Sequence, residues 1–403
     1  MNRSNKGFFS LCISLLTLLI IFNGCEDPGS VGSDFVDRPS LRVDTLTLSS
    51  TQEMGYNGYS GRLFVLPIGK YSDQLFGDIT ANGYLRPTVS PEIPDSVAIS
   101  SSFQLKLAIS IDSLETAYGD TLSQSQFTVH EVTSKWRGNS LRIDDDIQYG
   151  NQIGSFMTGS NSEIIVDLNE QWVDTYKSYF NSNDSSIDSI YVSEFQGLAI
   201  VPDQNNSKIS FPTASGLRFL LINRPAADDP DTVTVGLNDY GFTLTRTGAT
   251  NPPNVFPLHS TLEGMSTVSF PDSALKAGFS KSNIVKAEMV FYEAEDELAA
   301  GLPPNHQRLP VQTIRLHPVT SLEPAYEYQF TPALRSGSKV PDSTYFTVRV
   351  TNIVNNIIFG GQEIEELALG IGSVTGTLRS TLIYGATAPE DVRPKLIITS
   401  IVD

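Results

Sequence analysis

The sequence predicts an all-β protein built from two tandem antiparallel β-sandwiches with short connecting helices. Three observations carry this expectation. Phe103, Leu105, Leu107, Ile109 and Ile111 alternate with Gln, Lys, Ala and Ser. An extended chain sends successive side chains to opposite faces, so these five line one face of a strand whose other face is wet. Clusters of Asn, Asp, Gly, Pro and Ser separate this run from shorter alternations of the same kind. Strands wet on one face belong in antiparallel sheets stacked as sandwiches. Finally, the chain carries a diverged internal repeat: Val129-His130-Glu131-Val132-Thr133-Ser134 echoes Leu316-His317-Pro318-Val319-Thr320-Ser321, and Pro94-Asp95-Ser96 echoes Pro271-Asp272-Ser273.

The elements follow in chain order. Residues 1–24 read as a cleaved lipoprotein leader, with Arg3 and Lys6 ahead of an apolar run from Phe8 to Phe22. That run is shorter than the roughly 20 apolar residues a permanent spanning helix needs, and it fits a secretory h-region. Residues 25–40 read as a flexible acidic tether, because Glu26-Asp27-Pro28-Gly29-Ser30 and its continuation are rich in turn formers and poor in apolar residues. The first sandwich is expected over residues 41–223, with strands around 103–111, 164–168 and 217–222. Within it, Asn169 is placed to cap a short helix in which Trp172, Tyr176 and Phe180 share a face. Residues 224–231 are polar and hold two prolines, as linkers do. The second sandwich is expected over residues 232–403, with strands around 346–350, 367–371 and 396–401.

Composition narrows the function. The chain carries 45 acidic against 27 basic residues, a net charge of −18, and loss of Arg3 and Lys6 with the leader makes it two units more negative. Such a surface repels nucleic acid, so no nucleic-acid partner is expected. Cys12 and Cys25 are the only cysteines, and Cys12 lies in the leader, so no internal disulfide, cysteine-based zinc site or cysteine nucleophile is expected in the processed chain. No G-x-S-x-G elbow, H-E-x-x-H pair or glycine-rich phosphate loop occurs.

The candidate site residues are few. Asp144, Asp145 and Asp146, and Asp184 with Asp188, gather oxygen donors of the kind calcium takes, although neither group matches the spaced calcium loop. Calcium is thus the one cofactor to consider, and solvated turns are the plainer reading. Trp136, Tyr56 and Tyr59 offer aromatic faces to a ligand. His130 and His317 occupy matched repeat positions and read as strand residues rather than as two copies of a site.

Several segments resemble known families. Phe22-Asn23-Gly24-Cys25 resembles a bacterial lipobox, which makes Cys25 the acylation site and membrane anchor. The acidic pair after it resembles the export signal of Bacteroidota lipoproteins at the outer face of the cell. Gly32-Ser33-Asp34, together with Gly69-Lys70-Tyr71-Ser72-Asp73-Gln74-Leu75-Phe76-Gly77, resembles a family of uncharacterised Bacteroidota outer-membrane lipoproteins with a domain of unknown function and a shared G-x-Y-x-D-x-x-F-G stretch. This resemblance spans most of the chain, implies an outer-membrane lipoprotein, and brings no activity. Arg393-Pro394-Lys395-Leu396-Ile397-Ile398 and the V-x-x-x-W stretch from Val132 to Trp136 are similar to a jelly-roll module of carbohydrate-binding proteins, which implies sandwiches of jelly-roll type. The expected function is therefore a non-catalytic, lipid-anchored surface protein that binds a glycan or a protein partner. The alternatives are a structural or assembly subunit of an outer-membrane complex and a hydrolase with an unrecognised carboxylate site.

Overall fold

The computed structural model describes residues 40–48, 51–55, 57–88, 103–111, 117–158, 163–180, 187–223, 231–260, 262–319, 333–361, 363–364, 366–372 and 376–402. The leader, Cys25 and the tether up to residue 39 lie outside these, as do Tyr56, Asp184, residues 224–230 and the Pro94-Asp95-Ser96 echo.

The described chain is mostly strand, arranged as antiparallel sheets with few helices. The first repeat runs β1 (Ser40–Thr47), β2 (Thr51–Gly55), β3 (Ile68–Asp73), β4 (Gly77–Pro87), β5 (Gln104–Ser110), β6 (Tyr118–Asp120), β7 (Gln126–Val132), β8 (Tyr149–Met157) and β9 (Glu163–Asp167). Helices α1 (Glu170–Phe180) and α2 (Ile187–Glu194) then lead to β10 (Leu198–Pro202), β11 (Lys208–Ser210) and β12 (Leu217–Asn223). The second repeat runs β13 (Asp231–Val235), β14 (Leu237–Thr247), β15 (Val255–His259), β16 (Gly264–Ser269), α3 (Asp272–Phe279), β17 (Asn283–Tyr292), α4 (Glu295–Ala299) and β18 (His306–Gln307). It continues with β19 (Thr313–Pro318), β20 (Arg335–Lys339), β21 (Tyr345–Arg349), α5 (Thr351–Phe359), β22 (Glu366–Ile371), β23 (Ser380–Tyr384) and β24 (Lys395–Val402).

The pairings of the two repeats correspond strand for strand. β5 lies between β9 and β12, as β17 lies between β21 and β24. β10 lies between β4 and β7, as β22 lies between β16 and β19. β7 pairs β8 as β19 pairs β20, and β3 pairs β11 as β15 pairs β23. The echo at His130 and His317 thus falls on the equivalent strands β7 and β19.

The sandwiches are not the contiguous blocks 41–223 and 232–403. β1 and β2 pair with β24 and β16 of the second repeat, and β13 and β14 pair with β12 and β4 of the first. Each repeat therefore gives its first two strands to the other sandwich. The expectation of contiguous domains fails because strand pairing is made by main-chain groups, which carry no sequence record of their partner. Asp231, expected in the linker, is the first residue of β13.

In the first sandwich, the sheet β18-β6-β11-β3-β4-β10-β7-β8, with β14 on the other side of β4, faces the sheet β13-β12-β5-β9. Ile68, Ile79, Val129, Leu198 and Ile200 from one sheet meet Leu105, Leu107, Ile109, Phe219 and Leu221 from the other in a common core. The alternation read at residues 103–111 and 217–221 is this inward face. The second sandwich is one sheet, β1-β24-β17-β21-β20-β19-β22-β16-β2, with β15–β23 beside it. Its end strands β1 and β2 are joined by residues 48–50 alone. Three residues reach about 10 Å, the spacing of stacked sheets, so the sheet curls until its ends are neighbours. Met289, Phe291, Leu316, Phe346, Leu369 and Ile398 fill the space inside, and Leu275, Phe279, Ile353 and Ile357 of α3 and α5 pack against them.

The Asn169 cap forms as expected, with Oδ1 accepting from the Trp172 N–H at 3.0 Å. Trp172 is buried and packs on Phe195 at 5.5 Å, and Tyr176 packs on Phe195 at 4.5 Å, so the helix aromatics close the sandwich rather than face a ligand. The side chain of Phe180 lies outside the described residues.

Candidate functional site

The repeats differ at one seam in a way that opens a site. In the second repeat β20 and β21 pair directly, Ser338 with Thr347 and Lys339 with Phe346. The equivalent strands of the first repeat, β8 and β9, do not pair among the described residues: β8 pairs with β7, and β9 with β5. They meet at a single crossing, where the Asn169 N–H donates to the Ile153 carbonyl at 2.8 Å. Gly154 lies close there, and a Cβ on it would stand 3.1 Å from the Asp167 carbonyl oxygen. Residues 152–155 of β8, residues 165–168 along and after β9, and Glu170, Val173 and Asp174 of α1 line a cleft of about 1030 Å³.

Hydrogen-bonding side chains line this cleft, among them Gln104, Lys106, Gln152, Asp167, Asn169 and Asp174. Lys106 reaches the Asp167 carboxylate at 2.8 Å, and that carboxylate is 81% exposed, so most of its accepting capacity stays open. Glu170 adds a third carboxylate, and because Lys177 pairs with Asp174 at 3.4 Å, acid stays in excess by one over Lys106 and Lys177. Buried Ile153 and Val166 form the apolar floor. Such a surface accepts from hydroxyl and ammonium groups and repels polyanions.

Away from the cleft, shifted acids and bases gather around Asp73 and Phe76. Asp73 closes the turn between β3 and β4, with Oδ1 accepting from the Leu75 and Phe76 N–H groups at 2.8 and 3.1 Å. Arg308 donates to it twice, Nε to Oδ2 at 2.7 Å and Nη2 to Oδ1 at 2.8 Å, and the Tyr118 hydroxyl donates to Oδ2 at 3.0 Å. Burial alone would raise the Asp73 carboxyl, but the Arg308 contacts outweigh it and hold it below the usual carboxylate range. Burial, reinforced by Asp73, pushes the Tyr71 hydroxyl up to about 12.

Phe76 is buried in a cluster with Ala294 and Leu382 of the second sandwich, with the His259 ring 5.7 Å away. Beside it Arg246 of β14 pairs with Glu263, Nε to Oε1 at 2.6 Å. Burial raises the Glu263 carboxyl, and Arg246 overrides that and lowers it. His259, with Nδ1 2.9 Å from the Ser380 hydroxyl, is pushed down to about 4 by burial and by the neighbouring Arg246 charge. Arg246–Glu263 ties β14 of the first sandwich to the residue before β16 of the second, whereas Asp73–Arg308 holds a second-repeat segment, just after β18, on the first sheet. The glycines of the stretch have their own reasons. Gly69 takes φ +141° with a would-be Cβ 2.3 Å from the Lys208 carbonyl, and Gly77 takes φ +78° with one 2.2 Å from the Thr247 carbonyl. The Gly69–Gly77 stretch is thus a latch between sandwiches, with its polar groups satisfied by protein.

The aromatic candidates do not assemble. Trp136 is 6% exposed, because the 133–148 loop folds over the outer sheet face. Its indole N–H donates to the Gln196 carbonyl at 2.8 Å and the Arg86 guanidinium lies 5.3 Å from its ring, so it is no platform for a ligand. Tyr59 is partly buried under Arg142, 5.0 Å from the ring. Asp144 accepts from Asn57 Nδ2 at 2.6 Å, Asp145 from the Arg142 N–H at 2.8 Å, and Asp146 from Gln148 Nε2 at 2.6 Å, which makes this run a hydrogen-bonded turn. Asp188 lies in α2 with its side chain outside the described residues. Among the described residues no three His, Cys, Asp or Glu side chains are grouped to hold a metal ion. His130 is partly exposed with Nδ1 2.9 Å from the Gly150 carbonyl, whereas His317 is 1% exposed, so the matched histidines stand in unlike surroundings.

Sequence reasoning missed the cleft. Gln104 and Lys106 were visible as the polar positions of an alternating strand, but their neighbours across the seam were not. No known protein family matches the chain, and no curated protein matches it.

Proposed function

We propose that this protein is a non-catalytic lipoprotein, anchored through Cys25 at the outer face of the outer membrane, that binds a glycan in the cleft between β8 and β9. The observation that carries the reading is the open seam: the same seam in the second repeat is zipped by strand pairing, so the opening is a local departure from the shared plan. A cleft of this size lined by carboxylates, amides and a lysine suits a chain of hydroxyl donors, and its acid excess favours a neutral or amino-bearing glycan over a uronate or sulfate polymer. The leader and the acidic residues after Cys25 support the location. Three groups with shifted titrations support binding over catalysis, because Asp73, Glu263 and His259 are committed to protein partners, Arg308, Arg246 and Ser380.

The test is a glycan array with purified protein, followed by titration of Lys106→Ala, Gln152→Ala and Asp174→Ala. Removing one hydrogen-bonding partner of a charged group costs about 1.5–3 kcal/mol, a ten- to hundredfold weaker affinity. Binding that these substitutions leave unchanged, or capture of extended peptides instead of glycans, would overturn the assignment. So would turnover of a glycan, peptide or ester that one Asp, Glu or His substitution abolishes in a folded protein.

A further inference from the structure

The exchange of strands between repeats bears on assembly. The donor β1–β2 holds β24 from Ser40 opposite Val402 to Thr47 opposite Lys395, and holds β16 from Thr51 opposite Val268 to Gly55 opposite Gly264. β1 is attached mainly by its main chain: Leu41 and Val43 are 68% and 64% exposed, and only Asp44 and Leu46 within it are even partly buried. Among the described side chains of residues 40–48, Leu48 is the one plugged fully into the second core. The fold already places donor and acceptor on different repeats, and β13–β14 makes the reciprocal docking on β12 and β4.

The two donors differ in freedom. β13–β14 is bound into the described fold on both sides, through β12 and β15. Among the described residues, β1–β2 continues into the rest of the chain only at Gly55, and the chain is fixed again at residue 58, where the Gly58 N–H donates to the Leu262 carbonyl at 2.8 Å. Among the described residues the stretch from Gly55 to Gly58 is thus the donor's chain link to the rest of the fold. We propose that β1–β2 is transferable between molecules, so that the donor of one copy completes the second sandwich of another. The occupant is a second copy of this chain because its register on β24 and β16 and its Leu48 plug are already matched to the groove. Two copies that exchange reciprocally close into a dimer, the ordinary outcome of swapping an identical element.

The experiment uses the full chain with Cys12→Ser and Cys25→Ser, which leaves no cysteine. Leu41 and Ile401 stand directly opposite in the ladder. Opposed Cα atoms in antiparallel strands lie about 4.5–5.5 Å apart, within disulfide range. The double variant Leu41→Cys with Ile401→Cys should close within one chain under oxidation. For exchange, a Leu41→Cys chain and an Ile401→Cys chain are unfolded together and refolded at high concentration. The expected result is a reducible species at twice the monomer mass. The control replaces the donor with Leu122→Cys, at a site 74% exposed and remote from the ladder, and measures random collision. Cross-linking no greater with Leu41→Cys than with Leu122→Cys overturns the proposal. Failure of the double variant to close within one chain overturns the pairing on which it stands.

Discussion

Asp73 shows how a residue can be conspicuous in sequence while its use is not. Its spacing from Gly69, Tyr71, Phe76 and Gly77 marked it as part of a motif, but its partner Arg308 lies 235 positions away. No local pattern names that partner, so the stretch could not be read as a latch. The pair is buried, with the Asp73 side chain 0% and Arg308 9% exposed. Removing one member leaves the other charge unpaired, so Asp73→Ala or Arg308→Ala should each cost about 3–5 kcal/mol, read as a shift in the denaturant midpoint. A loss below 1 kcal/mol in both variants would show that the pair does not hold the segment after β18 to the first sheet. Acid stability follows from the same seam. His259 is held down to about 4 against an ordinary value near 6.5, so the unfolded chain binds its proton first. Stability is full above pH 6.5 and falls between pH 6.5 and 4 from this group. Below the usual carboxylate range it falls further, as Asp73 and Glu263, both lowered in the fold, take up protons. Stability measured against pH in His259→Gln should lose the first decline and keep the second; a decline unchanged by the substitution would assign it to other groups.

At the scale of elements, the strands were legible and their partners were not. Period-two runs located β5, β12, β21 and β24, because inward residues must be apolar whatever sheet they join. The exchange of β1–β2 for β13–β14 left no such trace, and neither did the opening between β8 and β9. A consequence can be checked by proteolysis. A cut within residues 224–230 divides the repeats, yet β13 stays on β12 and β14 stays on β4 from Asp78 to Pro87. The nicked protein should elute as one species in native size exclusion and resolve into two fragments only on denaturation. Fragments that part under native conditions would contradict the exchange.

For the whole molecule, the all-β class followed from sequence, whereas the joining of two sandwiches through the buried Arg246–Glu263 pair and the Phe76 cluster did not, because burial of charge is a property of the assembled interface. Anchoring makes a separate expectation. Two or more acyl chains give stable attachment where one does not. Cys25→Ala should therefore move the protein from the membrane to the soluble fraction, or leave the unprocessed chain, as judged by fractionation and the mass of the N-terminus. A processed chain that stays in the membrane without an acylated Cys25 would place the anchor elsewhere.

The residues after Cys25 lead in sequence to β1, and β1 belongs to the second sandwich, while the cleft belongs to the first. A pull between a lipid anchor at Cys25 and a ligand in the cleft would therefore not load one sandwich alone. Tension enters at Ser40, passes along the β1–β24 ladder, crosses the Phe76 cluster and the Arg246–Glu263 pair, and reaches β9 through the first core. The outermost strand, with the fewest buried side chains, is the first link to bear the load. Its peeling would lengthen the connection before either core opened.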